Sequence, residues 1–276
     1  MKRRHIHRRR RTRADALAAD GSTANSEAKR KGSPCGHGGK SVGAKRKRSY
    51  FTLDSLPTDL LQKIVAHVPM QDAARAACVS RELLQSWRCY PELQFNSRTL
   101  ALNEQHTCVR GRMAREILSR IDSVLRNRSG VCVKRLKFEF RFLRKVPTSY
   151  IDRWLEAATP GLEELTLELP QDGQVKYRFP CKLFSDGKGY SIQSLCLDAC
   201  SFHPDLGSCN FRSLKRMHLS SVHINTEEIG SFLPNSLALE HLELWHCHEI
   251  ASLKLPCTLQ RLSFLRVGRC DTLQMI

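Results

Sequence analysis

Residues 239–247 read LEHLELWHC, and this stretch decides how the second half of the chain folds. Leu242 and Leu244 alternate with polar residues, which is the period of a short strand with one buried face. Leu239 lies three positions before Leu242, and the small thiol of Cys247 lies three positions after Leu244. The stretch therefore predicts a strand that buries its leucines and presents the intervening side chains on its other face.

The same pattern recurs along the chain. Its first strand leucine or equivalent falls at Leu136, Leu165, Leu195, Met217, Leu242 and Leu265. The intervals are 29, 30, 22, 25 and 23 residues, close to the spacing of about 20–29 residues that is typical of leucine-rich repeats. Apolar stripes at helical spacing over residues 113–125 and 150–158 separate some of the copies. The sequence therefore predicts a solenoid of strands and helices, with the strands on its concave face.

The side chains that alternate with the buried leucines are expected on the concave face. The second repeat gives this face an acidic band between basic neighbours. Trp245 and Phe264 are large apolar groups that can anchor a partner. The candidate target-binding residues are Arg216, His218, Glu243, Trp245, Phe264 and Arg266. A solvated sheet face without a defined partner is the alternative interpretation.

Twelve cysteines without a secretory signal indicate a reducing compartment and free thiols. Cys200, Cys247 and Cys270 occupy the position after the strand where a small side chain turns inward, which predicts structural thiols. His246 and His248 flank Cys247, but alternation directs them away from it, so one ion cannot easily bind all three. We predict no metal site and no cofactor.

A separate helical module precedes the repeats. Apolar residues recur at helical spacing from Leu56 to Val68, Pro57 lies in the first turn and Pro69 ends the helix. A second apolar stripe follows Asp72. A module this small has a thin core, so we expect it to bury apolar groups against another surface.

This module resembles an F-box. The resemblance covers residues 53–95, including LPTDLLQKIVAHVPMQDAARAACVSRELLQSW over residues 56–87, and the continuation SWRCYPEL is similar to grass-type plant F-box proteins. One departure is Leu83, where many F-boxes have a tryptophan that here comes later, at Trp87. The resemblance implies docking on a Skp-type adaptor and, through it, on cullin and RING subunits. The adaptor-binding residues that it implies are Leu56, Pro57, Leu60, Leu61, Ile64, Val68, Pro69 and Val79.

The repeats are similar to the leucine-rich repeats of plant F-box proteins, for example in YIDRWLEAATPGLEELTLEL over residues 150–169. Together the two resemblances imply a substrate-recognition subunit of an SCF-type ubiquitin ligase, whose repeats bind a target protein. The chain has no nucleophile elbow, no zinc-protease histidine pair, no dinucleotide glycine pattern and no RING spacing. We therefore predict a non-catalytic subunit.

Most of the net positive charge lies in residues 1–48. The chain carries 45 basic and 27 acidic side chains, a net charge of +18, and residues 1–48 hold 16 and 3 of them, a net charge of +13. With few large apolar groups, this tail is expected to be disordered. The run Lys45, Arg46, Lys47 and Arg48 indicates a nuclear-import signal, and we expect the protein in the nucleus, the cytoplasm or both.

Two other interpretations of the tail stay open. It can be a solvated extension, or it can bind nucleic acid or chromatin while the repeats serve as a scaffold. Because no aromatic residue precedes Tyr50, such binding would depend on phosphate contacts and on salt. No apolar run is long enough to span a membrane.

The expected fold class is α+β, with a small helical module followed by an α/β solenoid. The expected divisions are a tail over 1–49, an F-box over 50–95, a helical linker over 96–130 and about six repeats over 131–276. Leu273 and Ile276 begin a further apolar stripe, so we expect a truncated array with an exposed apolar end.

Overall fold

The computed structural model of the chain describes residues 55–101, 111–128, 133–171, 177–185, 187–204 and 211–275. The predicted tail, with its import run Lys45 to Arg48, lies outside the described residues. None of the helices in the described part combines the length and the apolar character that crossing a bilayer requires.

Three short helices form the helical module: α1 (Thr58–Ala66), α2 (Met70–Ala76) and α3 (Arg81–Arg88). Pro57 and Pro69 are the residues immediately before α1 and α2, and each has a non-helical backbone conformation. Proline suits the start of a helix because its φ is fixed near the helical value and the missing N–H needs no partner there. The Ser80 side chain caps α3 by accepting a hydrogen bond of 3.2 Å from the backbone N–H of Leu83. Local sequence signals therefore set the start of each helix.

The remaining elements alternate between strand and helix. In chain order they are β1 (Glu92–Phe95), α4 (Arg112–Arg126), β2 (Arg135–Glu139), α5 (Thr148–Ala158), β3 (Glu164–Glu168), β4 (Tyr177–Arg178), β5 (Ser194–Asp198), β6 (Cys200–Ser201), β7 (Arg216–Ser220), α6 (Thr226–Phe232), β8 (His241–Trp245) and β9 (Phe264–Gly268). Short 3₁₀ turns occupy Cys181–Phe184, Lys188–Ser191 and Leu233–Asn235. Seven strands form one parallel sheet in the order β1-β2-β3-β5-β7-β8-β9, and β4 pairs with β6.

Two ladders of apolar side chains run through the sheet, perpendicular to its strands. The first consists of Leu93, Leu136, Leu165, Leu195, Met217, Leu242 and Leu265, and the second of Phe95, Phe138, Leu167, Leu197, Leu219, Leu244 and Val267. All are buried except the pair on β9, which is half-buried. The six predicted anchors each lie at the second position of a strand. The predicted architecture, helices followed by a parallel-strand solenoid, is confirmed.

The first repeat begins earlier than predicted. Residues 92–95 were assigned to the helical module, but they form β1, which pairs with β2 over its whole length. The predicted linker over 96–130 contains α4, whose residues Ile117, Ile121 and Leu125 are buried in the common core. The sheet therefore begins within the stretch assigned to the helical module, and the predicted linker contains a helix that packs in the same core.

The helical module is joined to the sheet by packing and by hydrogen bonds. Val65 and Ala73 belong to the same buried cluster as Leu93 on β1. The Tyr90 hydroxyl donates to the carbonyl of Val68 at 2.8 Å. The side-chain amide of Gln71, on α2, donates to the carbonyl of Arg98 at 2.6 Å. The module and the first repeat therefore share one core.

A left-handed residue follows the last position of four successive strands. Ala199, Ser221, His246 and Arg269 have φ values of 57°, 52°, 51° and 53°. This conformation is unfavourable for residues with a Cβ atom, so its recurrence marks a turn that the repeat requires. The residue after each turn points inward, which buries Cys200 and Cys247 and half-buries Cys270. Their predicted structural role agrees with this placement.

Two candidate protein-binding surfaces

The first surface is the apolar side of the helical module. On α1, Leu61 and Val65 face the core, whereas Leu60 and Ile64 lie one turn apart on the opposite side and are each 47% exposed. Val79, in the turn before α3, is 81% exposed. Three exposed aliphatic side chains on a module of this size mark a surface that another protein can cover.

The eight predicted adaptor-binding residues divide by exposure. Pro57, Leu60, Ile64, Pro69 and Val79 are exposed, and Leu56 and Val68 are half-buried. Leu61 is only 2% exposed, so the structure places it beneath this surface and not on it. Because neighbouring helical positions point in different directions, the side chain beside Leu60 supports the core and not the surface. We call the five exposed residues the apolar ridge.

The second surface is the face of the sheet that carries the polar side chains, which we call the polar face. The six predicted target-binding residues lie there together, on β7, β8 and β9. Arg216, His241 and Phe264 form one row across β7, β8 and β9. His218, Glu243 and Arg266 form the next row. His218 Nδ1 lies 3.5 Å from a carboxylate oxygen of Glu243. The alternation that predicted this grouping is therefore correct.

Trp245 lies flat on this face. The guanidinium carbon of Arg266 is 4.7 Å from the centroid of its ring, a cation–π contact. Gly268 lies beneath the ring: a Cβ atom built there would be 2.7 Å from Trp245 Cζ3. The absence of a side chain at Gly268 thus lets the ring settle across β9. Phe264 is 41% exposed, and its ring centroid is 5.7 Å from that of His241.

Three carboxylates lie side by side at the carboxyl ends of adjacent strands. Register places Glu139 on β2 beside Glu168 on β3, and Glu168 beside Asp198 on β5. We call these three residues the acidic row. Gln94 and Asn96 donate side-chain N–H groups to Oε2 of Glu139, at 3.0 and 2.6 Å. The predicted acidic band is therefore wider than one repeat.

Arg141 is a functional candidate that sequence reasoning missed. It follows β2 and reaches over the acidic row, with its guanidinium 3.0 Å from Glu168 and 2.7 Å from Oδ2 of Asp198. The Asp198 contact has the distance of an ion pair, yet neither oxygen of this buried carboxylate has a well-oriented hydrogen-bond donor among the described residues. Because Arg141 lies beyond the strand, alternation gave no signal for it.

Burial makes the ionised form of Glu168, at the centre of the acidic row, unfavourable. Loss of hydration raises the pKa of Glu168, Arg141 opposes this rise, and the neighbouring carboxylates of Glu139 and Asp198 add to it. The same burial, with these charges nearby, raises the pKa of the Cys196 thiol to about 12. Cys196 is therefore a neutral thiol at physiological pH and not a nucleophile.

His246 and His248 are separated from the thiol of Cys247. His246 and His248 have ring centroids 5.9 Å apart, while Cys247 is buried and directs its sulfur toward the carbonyl of Leu219 at 3.8 Å. Within the part of the chain that the structure describes, no three histidine, cysteine or acidic residues are placed to hold a metal ion.

Two known sequence families match the regions of the chain that carry these surfaces. The F-box domain family matches residues 53–91, which contain the apolar ridge. The family described as "At1g61320/AtMIF1, LRR domain" matches residues 124–276, more than half of the chain. The chain belongs to the plant F-box/leucine-rich-repeat family. The helical module is accordingly its F-box, and the sheet belongs to its leucine-rich repeats.

Curated relatives of this family come from Arabidopsis thaliana. The chain is 27% identical over 231 residues to F-box/LRR-repeat protein At5g02910, and 24% identical over 195 residues to F-box/FBD/LRR-repeat protein At1g13570. These alignments cover 79% and 70% of the chain. The aligned part is 43% of the length of each relative, so the chain spans less than half of the proteins that it matches.

The position of Trp245 can be tested through Gly268. Gly268→Ala places a methyl group against the indole, so we expect the ring to move outward and lose its contact with Arg266, at a cost of about 1–3 kcal/mol in stability. Tryptophan emission should shift to longer wavelength. The same substitution in a Trp245→Phe background should leave the emission unshifted. The control is Gly230→Ala in α6, where no atom lies within 4 Å of the new methyl group.

The electrostatic cost at Glu168 can be tested by thermal unfolding. Its pKa is higher in the folded protein, so the folded state holds this proton more tightly, and this contribution to stability is lost as pH rises above the unfolded value of about 4.3. Glu168→Gln removes the effect. The variant should therefore gain melting temperature relative to wild type at pH 7, and less at about pH 4. Glu227→Gln on α6 is the exposed control; equal gains for both variants would contradict this account.

Proposed function

We propose that this protein is a substrate-recognition subunit of an SCF-type ubiquitin ligase. Its F-box docks on a Skp-type adaptor, and its repeats bind a target protein. The observation that supports this most is the apolar ridge: the module carrying the F-box match leaves Leu60, Ile64 and Val79 exposed, uncovered by the other residues that the structure describes.

The energetic argument concerns the size of the module. Three helices of nine, seven and eight residues cannot enclose all of their aliphatic side chains, so they bury one side against β1 and leave the other in water. Covering an exposed aliphatic side chain contributes roughly 25 cal/mol for each Å² removed from water. Association through the apolar ridge is therefore favourable, and the clustered residues are good hot-spot candidates.

The join between the module and the repeats supports a role in positioning. Because Val65, Ala73 and Leu93 lie in one buried cluster, the F-box and the first repeat move together. A target on the polar face would thus be held at a defined place relative to the adaptor. In this proposal the chain contributes proximity, and the cullin and RING subunits supply the transfer chemistry with their enzymes.

Docking can be tested by co-purification with a plant Skp-type adaptor. Leu60→Asp or Val79→Asp places a carboxylate in the apolar contact, where it loses hydration without gaining a partner. We expect each to weaken docking at least about a hundredfold, the equivalent of roughly 3 kcal/mol. Because Val79 is 81% exposed, the second variant should keep the stability of the wild type.

The matched control is Leu237→Asp, which adds the same charge at a leucine that is 58% exposed and lies outside the F-box. It should dock like the wild type. If the wild-type chain fails to co-purify with any adaptor of the plant, the proposed function is wrong. If all three variants lose docking equally, the apolar ridge is not the contact surface.

For the tail we propose nuclear import through the run Lys45 to Arg48. Because a chain of 31.5 kDa is small, the test uses a fusion to several fluorescent proteins, too large for passive entry. Replacing the four residues with alanine should move the fusion to the cytoplasm of plant cells, whereas the same change at residues 29–31 should not. Unchanged nuclear signal would contradict this role.

A further inference from the structure

The chemistry of the polar face indicates what kind of target segment it binds. Its last row crosses six strands at their carboxyl ends and consists, in order, of Glu139, Glu168, Asp198, Ser220, Trp245 and Gly268. The three carboxylates come first, a small hydroxyl follows, and a flat indole ends the row. This row is therefore acidic at one end and aromatic at the other.

The acidic end is under-neutralised. Glu168 and Asp198 share one described cation, Arg141, and Glu139 receives neutral amide donors from Gln94 and Asn96. Three carboxylates thus face one guanidinium within a span of about 10 Å, given a strand spacing of about 4.8 Å. Asp198 is only 1% exposed, and its Oδ1 lacks a hydrogen-bond donor among the described residues. Arg141 covers this buried carboxylate, whereas Glu139 and Glu168 are only half-buried. A cation from a partner can therefore reach Glu139 and Glu168 and would reduce the excess negative charge of the row.

The loss of folding stability at the acidic row agrees with a binding role. Burial, together with the like charges of Glu139 and Asp198, raises the pKa of Glu168, so the ionised Glu168 side chain costs stability in the free protein. Features that oppose stability are expected where a partner compensates for them. At the aromatic end, the Trp245 ring is already fixed in the free protein by its contacts with Arg266 and Gly268. Binding would therefore lose little side-chain entropy at this residue.

The distance between the two ends sets a spacing. From Glu168 on β3 to Trp245 on β8 there are three strand steps, through β5 and β7, or about 14 Å. An extended peptide advances about 3.4 Å per residue, so about four residues cover this distance. Successive side chains of an extended peptide point to opposite sides, so two side chains four residues apart point to the same side. The first and fifth side chains of such a peptide can therefore both reach the sheet.

We propose that the polar face binds an extended segment of the target in which a lysine or arginine and a large apolar side chain are four residues apart. The basic side chain pairs with the Glu139 and Glu168 end of the row, and the apolar side chain packs on Trp245. This inference rests on the proposed function, since it specifies the target class of the same recognition surface.

The test is a selection from a library of random linear 12-residue peptides on the full chain, captured through an affinity tag. The net charge of +18 makes the selection discriminating, because non-specific attraction by the chain would enrich acidic peptides. We expect the opposite, an enrichment of Lys or Arg four positions from Leu, Phe, Tyr or Trp. A selected peptide should lose affinity on exchange of its basic residue for glutamate or its apolar residue for serine.

Variants of the protein then locate the binding site. Glu168→Gln and Trp245→Ala should each weaken binding of the selected peptide about tenfold, equivalent to about 1.4 kcal/mol. Two matched controls make the same chemical changes at exposed positions elsewhere: Glu227→Gln on α6, and Leu237→Ala. Both should bind as the wild type does.

Three outcomes would overturn the inference: enrichment of acidic peptides, a selection that yields no binding peptide, or equal binding by Glu168→Gln and wild type. Co-purification with the Skp-type adaptor is measured on the same preparations. If the adaptor docks while the peptide result is negative, only this inference fails. If docking itself is absent, it is the proposed function that fails.

Discussion

The strict register of seven parallel strands is the constraint on which the rest of the structure depends. Each strand places its second and fourth residues on the buried side, and pairing without a slip aligns them into two continuous apolar ladders. A slip of one residue would turn every leucine toward solvent. The same register aligns the opposite face, so the acidic row and the contacts of Trp245 are consequences of how the core packs.

The two candidate surfaces differ in how they relate to stability. The apolar ridge exists because the F-box is too small to bury both sides of its helices. In the acidic row, burial opposes the charge of Glu168 and raises its pKa. Both features are unfavourable in the free protein, and both would become favourable in contact with a partner of the matching chemistry. The shared core around Val65 and Leu93 links the two surfaces mechanically.

Prediction from sequence succeeded where periodicity was strong. The six strand anchors and the grouping of Arg216, His218 and Trp245 followed from a period of two residues. Periodicity did not separate the buried Leu61 from the exposed Leu60 beside it, because that depends on which side of the helix meets the core. It also gave no strand at residues 92–95, where the structure has β1. Arg141 was missed because a residue beyond a strand can point anywhere.

The sequence by itself determined the alternation, the repeat interval and the F-box pattern, because these are properties of neighbours along the chain. Only the tertiary structure decided which side chains meet across strands. Glu139, Glu168 and Asp198 lie about 30 residues apart in sequence and become neighbours through strand pairing. The ring of Trp245 lies flat because Gly268, on another repeat, leaves space for it. Contacts of this kind depend on packing in three dimensions, which no local pattern specifies.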